Sequence, residues 1–273
     1  MKATTLILIS VLGTHFHASS QKNLTNIAGT VKIGDDISMK TAEVSIQEWI
    51  IFIADNNFDS TLFPQIDLVS YPLQLLFLDL KKGQDFDYIK ISNQEIEREP
   101  RKLKGLRQTK KFHQDSEEDV RRLTIRQPIT GITYNQARLY CLWLESGINN
   151  NRTEKVKIDL PSDSIYMYVI TNRDSLNSKG CALFNFGHCP CVSNTKKDYN
   201  EPLGKRLVRA DGFFPTASGF YNLQGNVAEM TNIEGKAKGG SFRHYARQSY
   251  TDQTQYYTGP EEWLGFRYVV SWN

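Results

Sequence analysis

Residues 219–230 read GFYNLQGNVAEM, and two further glycine-containing runs follow them, KGGSF at 238–242 and LGFRY at 264–268. Glycine at such positions is typical of tight turns, because it adopts positive φ angles without steric cost. The short apolar stretches beside the turns indicate short strands. The C-terminal part of the chain is therefore predicted to consist of short strands and glycine-rich turns, without an internal repeat.

Two helices are predicted upstream of these turns. Ser45 and Thr133 are residue types that favour the helix N-cap position. Each is followed by apolar residues spaced three and four apart, which predicts an amphipathic helix. The two apolar faces consist of Trp49, Ile50, Phe52 and Ile53 in the first helix and Ala137, Tyr140, Cys141 and Leu144 in the second.

Strands are predicted at residues 30–33, 42–46 and 156–160. Residues 171–205 are rich in Asn, Ser, Lys and Gly and have little periodicity, which is typical of a loop. Together with the helices, this mixture predicts an α+β domain with few regular elements and long irregular loops.

Composition excludes some classes of function. The chain has 273 residues, of which 40% are hydrophobic and 23% are charged, as in an ordinary globular protein with a core. The net charge of +3 gives no reason to expect a nucleic-acid partner, because nucleic-acid-binding domains concentrate basic residues on one face. It is also too weak to support attraction to a membrane surface as the main function.

The N-terminus has the pattern of a secretory signal peptide. A lysine at position 2 precedes an apolar run at 6–12, and small polar residues follow at 18–20. The apolar run is shorter than the ~20 residues that span a bilayer, so no transmembrane segment is predicted. A buried first strand or helix is the alternative. We therefore expect residues 1–20 to be removed, residues 21–273 to form one domain, and the protein to be periplasmic, cell-surface or secreted.

A charged insertion is predicted near residues 95–125. Basic residues collect between Arg98 and Lys111, and an acidic run follows at 115–119. Such a run is typical of a solvated helix or insertion, and a docking patch for an acidic partner is the alternative.

The four cysteines fall into two groups. Cys141 belongs to a predicted helical face, where a buried free thiol is expected. Cys181, Cys189 and Cys191 cluster in a predicted loop. A disulfide, free thiols and a zinc site all remain open for this cluster, although the spacing does not match the usual zinc motifs.

Four segments, taken in order, resemble the formylglycine-generating (sulfatase-modifying) enzyme family. They are residues 43–52, residues 127–143, residues 160–163, and the glycine-containing runs between 219 and 268. The resemblance spans roughly residues 30–270, with 55–125 unassigned. It implies a variant of the C-type lectin fold; a lectin-like relative from outside the family is the alternative.

The same resemblance bears on catalysis. Family enzymes oxidise a cysteine of a client sulfatase with two cysteines that hold copper, and the corresponding positions here are His244 and Ser249. Neither supplies the thiolate that Cu(I) prefers, so neither copper nor any catalytic residue is expected. His244 is either a ligand or general base, or a packing or surface residue.

The resemblance further implies a calcium site. The family's Asn-x-x-Gly-x-(Ala/Val)-x-Glu run supplies side-chain and backbone oxygens, the ligands that calcium requires. The corresponding residues are Asn222, Gly225, Val227 and Glu229. A tight turn without an ion is the alternative.

A non-catalytic exported protein is therefore expected, resembling envelope components of gliding-motility and type IX secretion machinery, with a protein or glycan partner. An enzyme of the family with altered chemistry and a ligand-displaying lectin-like protein are the alternatives. Aromatic side chains supply binding energy at low entropic cost, so a binding surface is predicted near the C-terminus. It comprises His244, Tyr245, Tyr250, Tyr256, Tyr257 and Trp263, although packing within the final sheet is the alternative for these residues.

Overall fold

The structure is a computed structural model that describes residues 27–65, 125–150, 152–173, 207–212, 215–250 and 252–272. The proposed signal peptide, nearly all of the charged insertion, and Cys181, Cys189 and Cys191 lie outside these residues. What the sequence predicts for these segments therefore stays a prediction.

Three α-helices lie within the described ranges: α1 (Ile46–Asp55), α2 (Tyr134–Asn149) and α3 (Asp163–Arg173). The predicted caps of the first two are confirmed. The Ser45 hydroxyl accepts a hydrogen bond from the backbone amide of Glu48. In return, the Glu48 carboxylate accepts from the backbone amide of Ser45 at 2.8 Å. Thr133 begins α2 with an equivalent capping box, which satisfies amide donors that the helix itself leaves unpaired. None of these three helices is long and apolar enough to cross a membrane.

Eight strands form two four-stranded sheets in the described parts of the chain. The first sheet is antiparallel, with the order β1-β2-β8-β3, and the second has the order β6-β5-β4-β7 with β4 and β7 parallel. The strands are β1 (Thr30–Gly34), β2 (Ile37–Lys40), β3 (Val156–Asp159), β4 (Ala228–Met230), β5 (Lys236–Lys238), β6 (Gln255–Tyr256), β7 (Leu264–Gly265) and β8 (Val269–Trp272).

The predicted strands at 30–33 and 156–160 are confirmed as β1 and β3, but the one at 42–46 is wrong. The strand of this region is β2, and Val44 lies in the connection to α1. Val44 pairs with loops on both sides: its amide donates to Phe266 O and its carbonyl accepts from the Ile129 amide, each at 2.9 Å. Because β2 ends at Lys40 and α1 begins at Ile46, the connection between them is too short to form a further strand.

The largest hydrophobic core packs α1 and α2 against the final strands. Trp49 is fully buried, its ring stacks on Tyr140, and Phe266 meets both rings edge-on. Cys141 is a buried free thiol, as predicted. Leu144 lies at the periphery of this core, partly buried. A second core places α3 against the first sheet through Tyr166, Val169, Ile170, Phe220 and Val269.

Candidate functional site

Residues 219–230 form a turn-rich segment that ends in β4. Asn222 and Asn226 have φ angles of 47° and 60°, and Gly225 between them has 83°. Asparagine tolerates this left-handed conformation better than most residues, which explains its use here. The two asparagine side chains point inward and are buried. The segment therefore presents two amides to the interior.

Arg267 and Glu229 form an ion pair in the interior of the protein. Both side chains are fully buried, and Arg267 Nε and Nη2 donate to the two carboxylate oxygens, each at 2.6 Å. Burial would lower the pKa of Arg267, but the charge and hydrogen bonds of Glu229, together with Tyr166 and Glu43, raise that pKa. Burial raises the pKa of Glu229, opposed by the positive charge of Arg267. A bidentate pair of this kind fixes the relative position of its two elements.

Glu43, which precedes α1, forms a second buried polar cluster with Asn222 and Asn226, beside the ion pair of Arg267 and Glu229. Its two oxygens accept from Asn226 Nδ2 at 3.0 Å and from Asn222 Nδ2 at 3.2 Å. Burial raises the pKa of Glu43 to about 8, with the charge of Arg267 acting against the shift.

The two asparagines also hold the segment 207–212 in place. Asn222 Nδ2 donates to Ala210 O at 2.8 Å, and Asn226 Oδ1 accepts from the Val208 amide at 3.0 Å. Because these bonds fix which end of each amide is the nitrogen, both Nδ2 groups face Glu43. The asparagines thus connect Glu43 to a distant loop.

The predicted calcium ligands do not fit a calcium ion as they are arranged. Both oxygens of Glu229, the one carboxylate of the set, already accept from Arg267. The side-chain nitrogen of Asn222 is directed at Glu43 and at carbonyl oxygens. Within the described ranges, no group of three or more His, Cys, Asp or Glu side chains is arranged to hold a metal ion. Calcium binding by Asn222, Gly225, Val227 and Glu229 stays a prediction and would require Arg267 to leave the carboxylate.

His244 is tied into a turn. Its Nδ1 lies 2.7 Å from Ser241 Oγ, and its ring meets Trp263 edge-on with centroids 4.9 Å apart. Partial burial lowers the pKa of His244, because desolvation disfavours the charged imidazolium. His244 therefore packs against Trp263 and is partly buried.

Ser249 is buried directly beneath a glycine. A Cβ built on Gly240, which has a φ of +67°, would lie 2.9 Å from Ser249 Cβ. The Ser249 hydroxyl has no hydrogen-bond partner among the described residues. Ser249 is therefore buried and does not face solvent as a metal ligand at an open site would.

Three of the predicted surface residues are exposed, and we call Tyr245, Tyr250 and Tyr256 the tyrosine surface. Their exposed fractions are 52%, 50% and 73%. Gln248 bonds to the backbone of one of these tyrosines and to the neighbour of another. Its side chain accepts from the Tyr245 amide, and its backbone carbonyl accepts from the side chain of Gln255, which precedes Tyr256. The Arg247 guanidinium lies over the Tyr245 ring, 5.7 Å from its centroid. The surface therefore combines aromatic rings with a cation.

The prediction that Tyr257 belongs to this surface is wrong. Its side chain is 8% exposed and packs in the largest core, because successive residues at the end of β6 point to opposite sides and Tyr256 points outward. Trp263 is half-buried against two cores, so packing decides its position too. His244 lies beneath the surface with Trp263.

Glu43 and Arg267 were not singled out from the sequence. Each is an ionisable residue between apolar neighbours, Ala42 and Val44 in one case and Phe266 and Tyr268 in the other. A charge in such a setting is a signal for a buried ion pair. For Arg267 the partner is Glu229, which the sequence does not reveal because the two residues are 38 positions apart.

The chain matches the family described as "Sulfatase-modifying factor enzyme 1-like domain" over residues 3–272, and it belongs to that family. The predicted α+β fold of the formylglycine-generating type is thereby confirmed, with helices and two sheets in the described residues. A comparison with curated proteins found no match.

Three solved structures are similar to this chain at low sequence identity, and one of them reaches a TM-score of 0.50. "Treponema denticola variable protein 1" is 11% identical with a TM-score of 0.50, and the match covers 90% of this chain and 92% of that one. "Crystal Structure of CarF" is 14% identical with a TM-score of 0.45, covering 89% and 95%. "Structure of PvdO from Pseudomonas aeruginosa" is 15% identical with a TM-score of 0.40, and the match covers 54% of this chain and 63% of PvdO.

Proposed function

We propose that this chain is a non-catalytic member of the sulfatase-modifying family that binds a partner in the cell envelope. One observation carries the proposal: His244 and Ser249 stand where family enzymes have copper-binding cysteines. Neither side chain supplies a thiolate, and Ser249 is 1% exposed beneath Gly240. The pair could not present two soft ligands to a copper ion.

The surroundings of His244 give little support to an enzyme with altered chemistry. A serine activated by a histidine must reach its substrate to act as a nucleophile. Ser241, the serine bonded to His244, is fully buried. The same contact occupies His244 Nδ1, and the imidazole packs edge-on against Trp263.

The tyrosine surface is the proposed contact with the partner. Tyrosine rings offer large amphipathic contact area while losing little conformational entropy, and the neighbouring Arg247 adds hydrogen-bond donors. Such a surface suits a protein or a glycan, since both present apolar faces beside polar groups. The role proposed for this chain is that of an envelope component of the kind found in gliding-motility and type IX secretion machinery.

Export is part of the same proposal. It is supported by the N-terminal pattern of a lysine, an apolar run and small residues in 1–20. Mass spectrometry of the native protein should find a chain that begins near residue 21 in an envelope or secreted fraction. An intact Met1 in a cytoplasmic fraction would contradict export without bearing on catalysis.

A second candidate is a ligand-displaying protein whose surface residues vary between sister copies. Two of the three tyrosines, Tyr245 and Tyr250, lie outside the helices and strands, which favours it because binding residues are commonly carried on such segments. Replacements in sister copies confined to exposed positions between 243 and 263 would support it. Replacements scattered equally over buried positions would not.

The decisive experiment pairs an activity assay with a binding assay. Purified protein, with or without copper, should not convert a sulfatase-type cysteine peptide to formylglycine. Turnover above background that is lost in His244→Ala would refute the non-catalytic assignment. For binding, wild type should capture a component from solubilised native envelope, and a variant with Ser at all three positions of the tyrosine surface should lose it. Equal capture by both would rule out this surface.

A further inference from the structure

We propose that the guanidinium of Arg267 is itself the structural cation of this region, so that the native protein holds no calcium at Glu229. The guanidinium is enclosed by oxygens. Besides the two oxygens of Glu229, it contacts Tyr221 O at 2.8 Å, Thr41 O at 3.1 Å and Lys40 O at 3.2 Å. A shell made entirely of carboxylate and carbonyl oxygens is what a hard metal cation would also require.

Every donor of Arg267 is used in this shell. Nε donates to one Glu229 oxygen, Nη2 donates to the other and to Tyr221 O, and Nη1 donates to Lys40 O and Thr41 O. An arginine side chain has five N–H groups, and all five have an acceptor here. Lysine has three donors around a point charge and cannot reproduce this planar arrangement.

The shell joins separate parts of the fold. Lys40 ends β2, Thr41 follows it, Tyr221 belongs to the turn-rich segment, and Glu229 lies in β4. Arg267 itself lies between β7 and β8. One side chain therefore holds the first sheet, the turn segment and the second sheet together, which is the fixing role expected of a bound ion.

A calcium ion would have to displace a buried charge to bind here. Glu229 could supply oxygens to the ion only after losing both bonds to Arg267. The fully buried guanidinium would then lack its counter-charge, and an uncompensated buried charge is strongly unfavourable. The arrangement thus favours the internal cation over a metal.

The test measures bound metal and melting temperature in the full chain. Wild type, purified without chelator, should contain well under one calcium per chain by elemental analysis. Its melting temperature should move by less than about 1 °C between chelator and millimolar calcium, whereas a site filled at a hundredfold excess over Kd would raise it by roughly 5–10 °C. Stoichiometric calcium whose removal lowers the melting temperature of wild type, with the effect absent in Glu229→Gln, would overturn the proposal.

Two variants sharpen the result. Arg267→Lys keeps the charge but loses donors, and we expect its melting temperature to fall by roughly 10 °C. A calcium effect of equal size in wild type and Glu229→Gln would place the ion elsewhere and leave the internal cation intact. Arg267→Lys melting like wild type would contradict the proposal even if no calcium is found. None of these results depends on catalysis or partner binding.

Discussion

The indole of Trp49 in α1 stacks on the ring of Tyr140 in α2, with centroids 5.7 Å apart and ring planes 12° from parallel. Trp49 also donates from Nε1 to Leu62 O at 3.1 Å. Trp49→Ala should therefore cost about 4 kcal/mol of unfolding free energy, the usual loss for a large buried aromatic. Denaturant unfolding measures it.

Trp143 provides the matched control for Trp49. It contacts Tyr140 from the same helix, but it is half-buried and its Nε1 bonds to Asp55 in an exposed setting. Trp143→Ala should cost roughly half as much, in proportion to the smaller area removed from water. Equal losses in the two variants would show that the stacked pair is not the centre of this core.

The contact between Gly240 and Ser249 predicts a coupled pair of substitutions. Ser249→Ala removes a buried hydroxyl that has no hydrogen-bond partner among the described residues, so it should leave stability unchanged or raise it by up to about 1 kcal/mol. Gly240→Ala should destabilise by more than about 1 kcal/mol, because alanine is strained at a φ of +67° and crowds Ser249. The double variant should lose less than the sum of the single effects in a thermodynamic cycle, because Ser249→Ala removes the hydroxyl oxygen that the new methyl group would crowd. Strict additivity would argue against the close contact.

Glu43 should make stability depend on pH. Its pKa is about 8 in the folded protein, raised by burial, against an ordinary value of 4.5. Between these values the folded state holds a proton that the unfolded state has released, so the unfolding free energy should fall as pH rises from about 5 to 8. The slope can reach at most about 1.4 kcal/mol per pH unit, and the charges of Arg267 and Glu229 modify it.

Glu43→Gln tests the origin of this slope. Glutamine keeps the side-chain length and one acceptor for the two asparagines but has no proton to exchange. Unfolding measured at several pH values should show a flatter profile in the variant than in wild type. Parallel profiles would assign the pH dependence to another group.

Tyr256 and Tyr257 are adjacent but should respond in opposite ways. Tyr256 is 73% exposed, so Tyr256→Ala should change the melting temperature by less than about 2 °C while weakening capture of the envelope partner. Tyr257 is buried, so Tyr257→Ala should destabilise by about 3 kcal/mol. If Tyr256→Ala captures as much partner as wild type, Tyr256 does not belong to the contact.

The sequence is informative wherever structure is decided locally. Ser45 and Thr133 could be identified as caps because the capping box involves residues only three positions apart. The glycine runs likewise predict turns from their own backbone requirements. The family fold followed from the order of such local segments.

Contacts distant in sequence could not be predicted in the same way. The pairing of Arg267 with Glu229 depends on how the two sheets are placed relative to each other. The spacing of residues 222–229 suggests a metal-binding motif, but it does not show that an arginine binds the carboxylate of that motif. The sequence leaves open whether Tyr256 or Tyr257 is buried, because β6 is two residues long, too short for alternation to be recognised.

The position of β8 has a consequence for how the protein is made. This strand lies in the middle of the first sheet, between β2 and β3, although it is the last strand along the described chain. A nascent chain that has not yet produced residues 269–272 must keep β2 and β3 apart, each with an unpaired edge. Such edges attract other chains and chaperones, so the nascent protein is open to aggregation in the interval before residues 269–272 emerge.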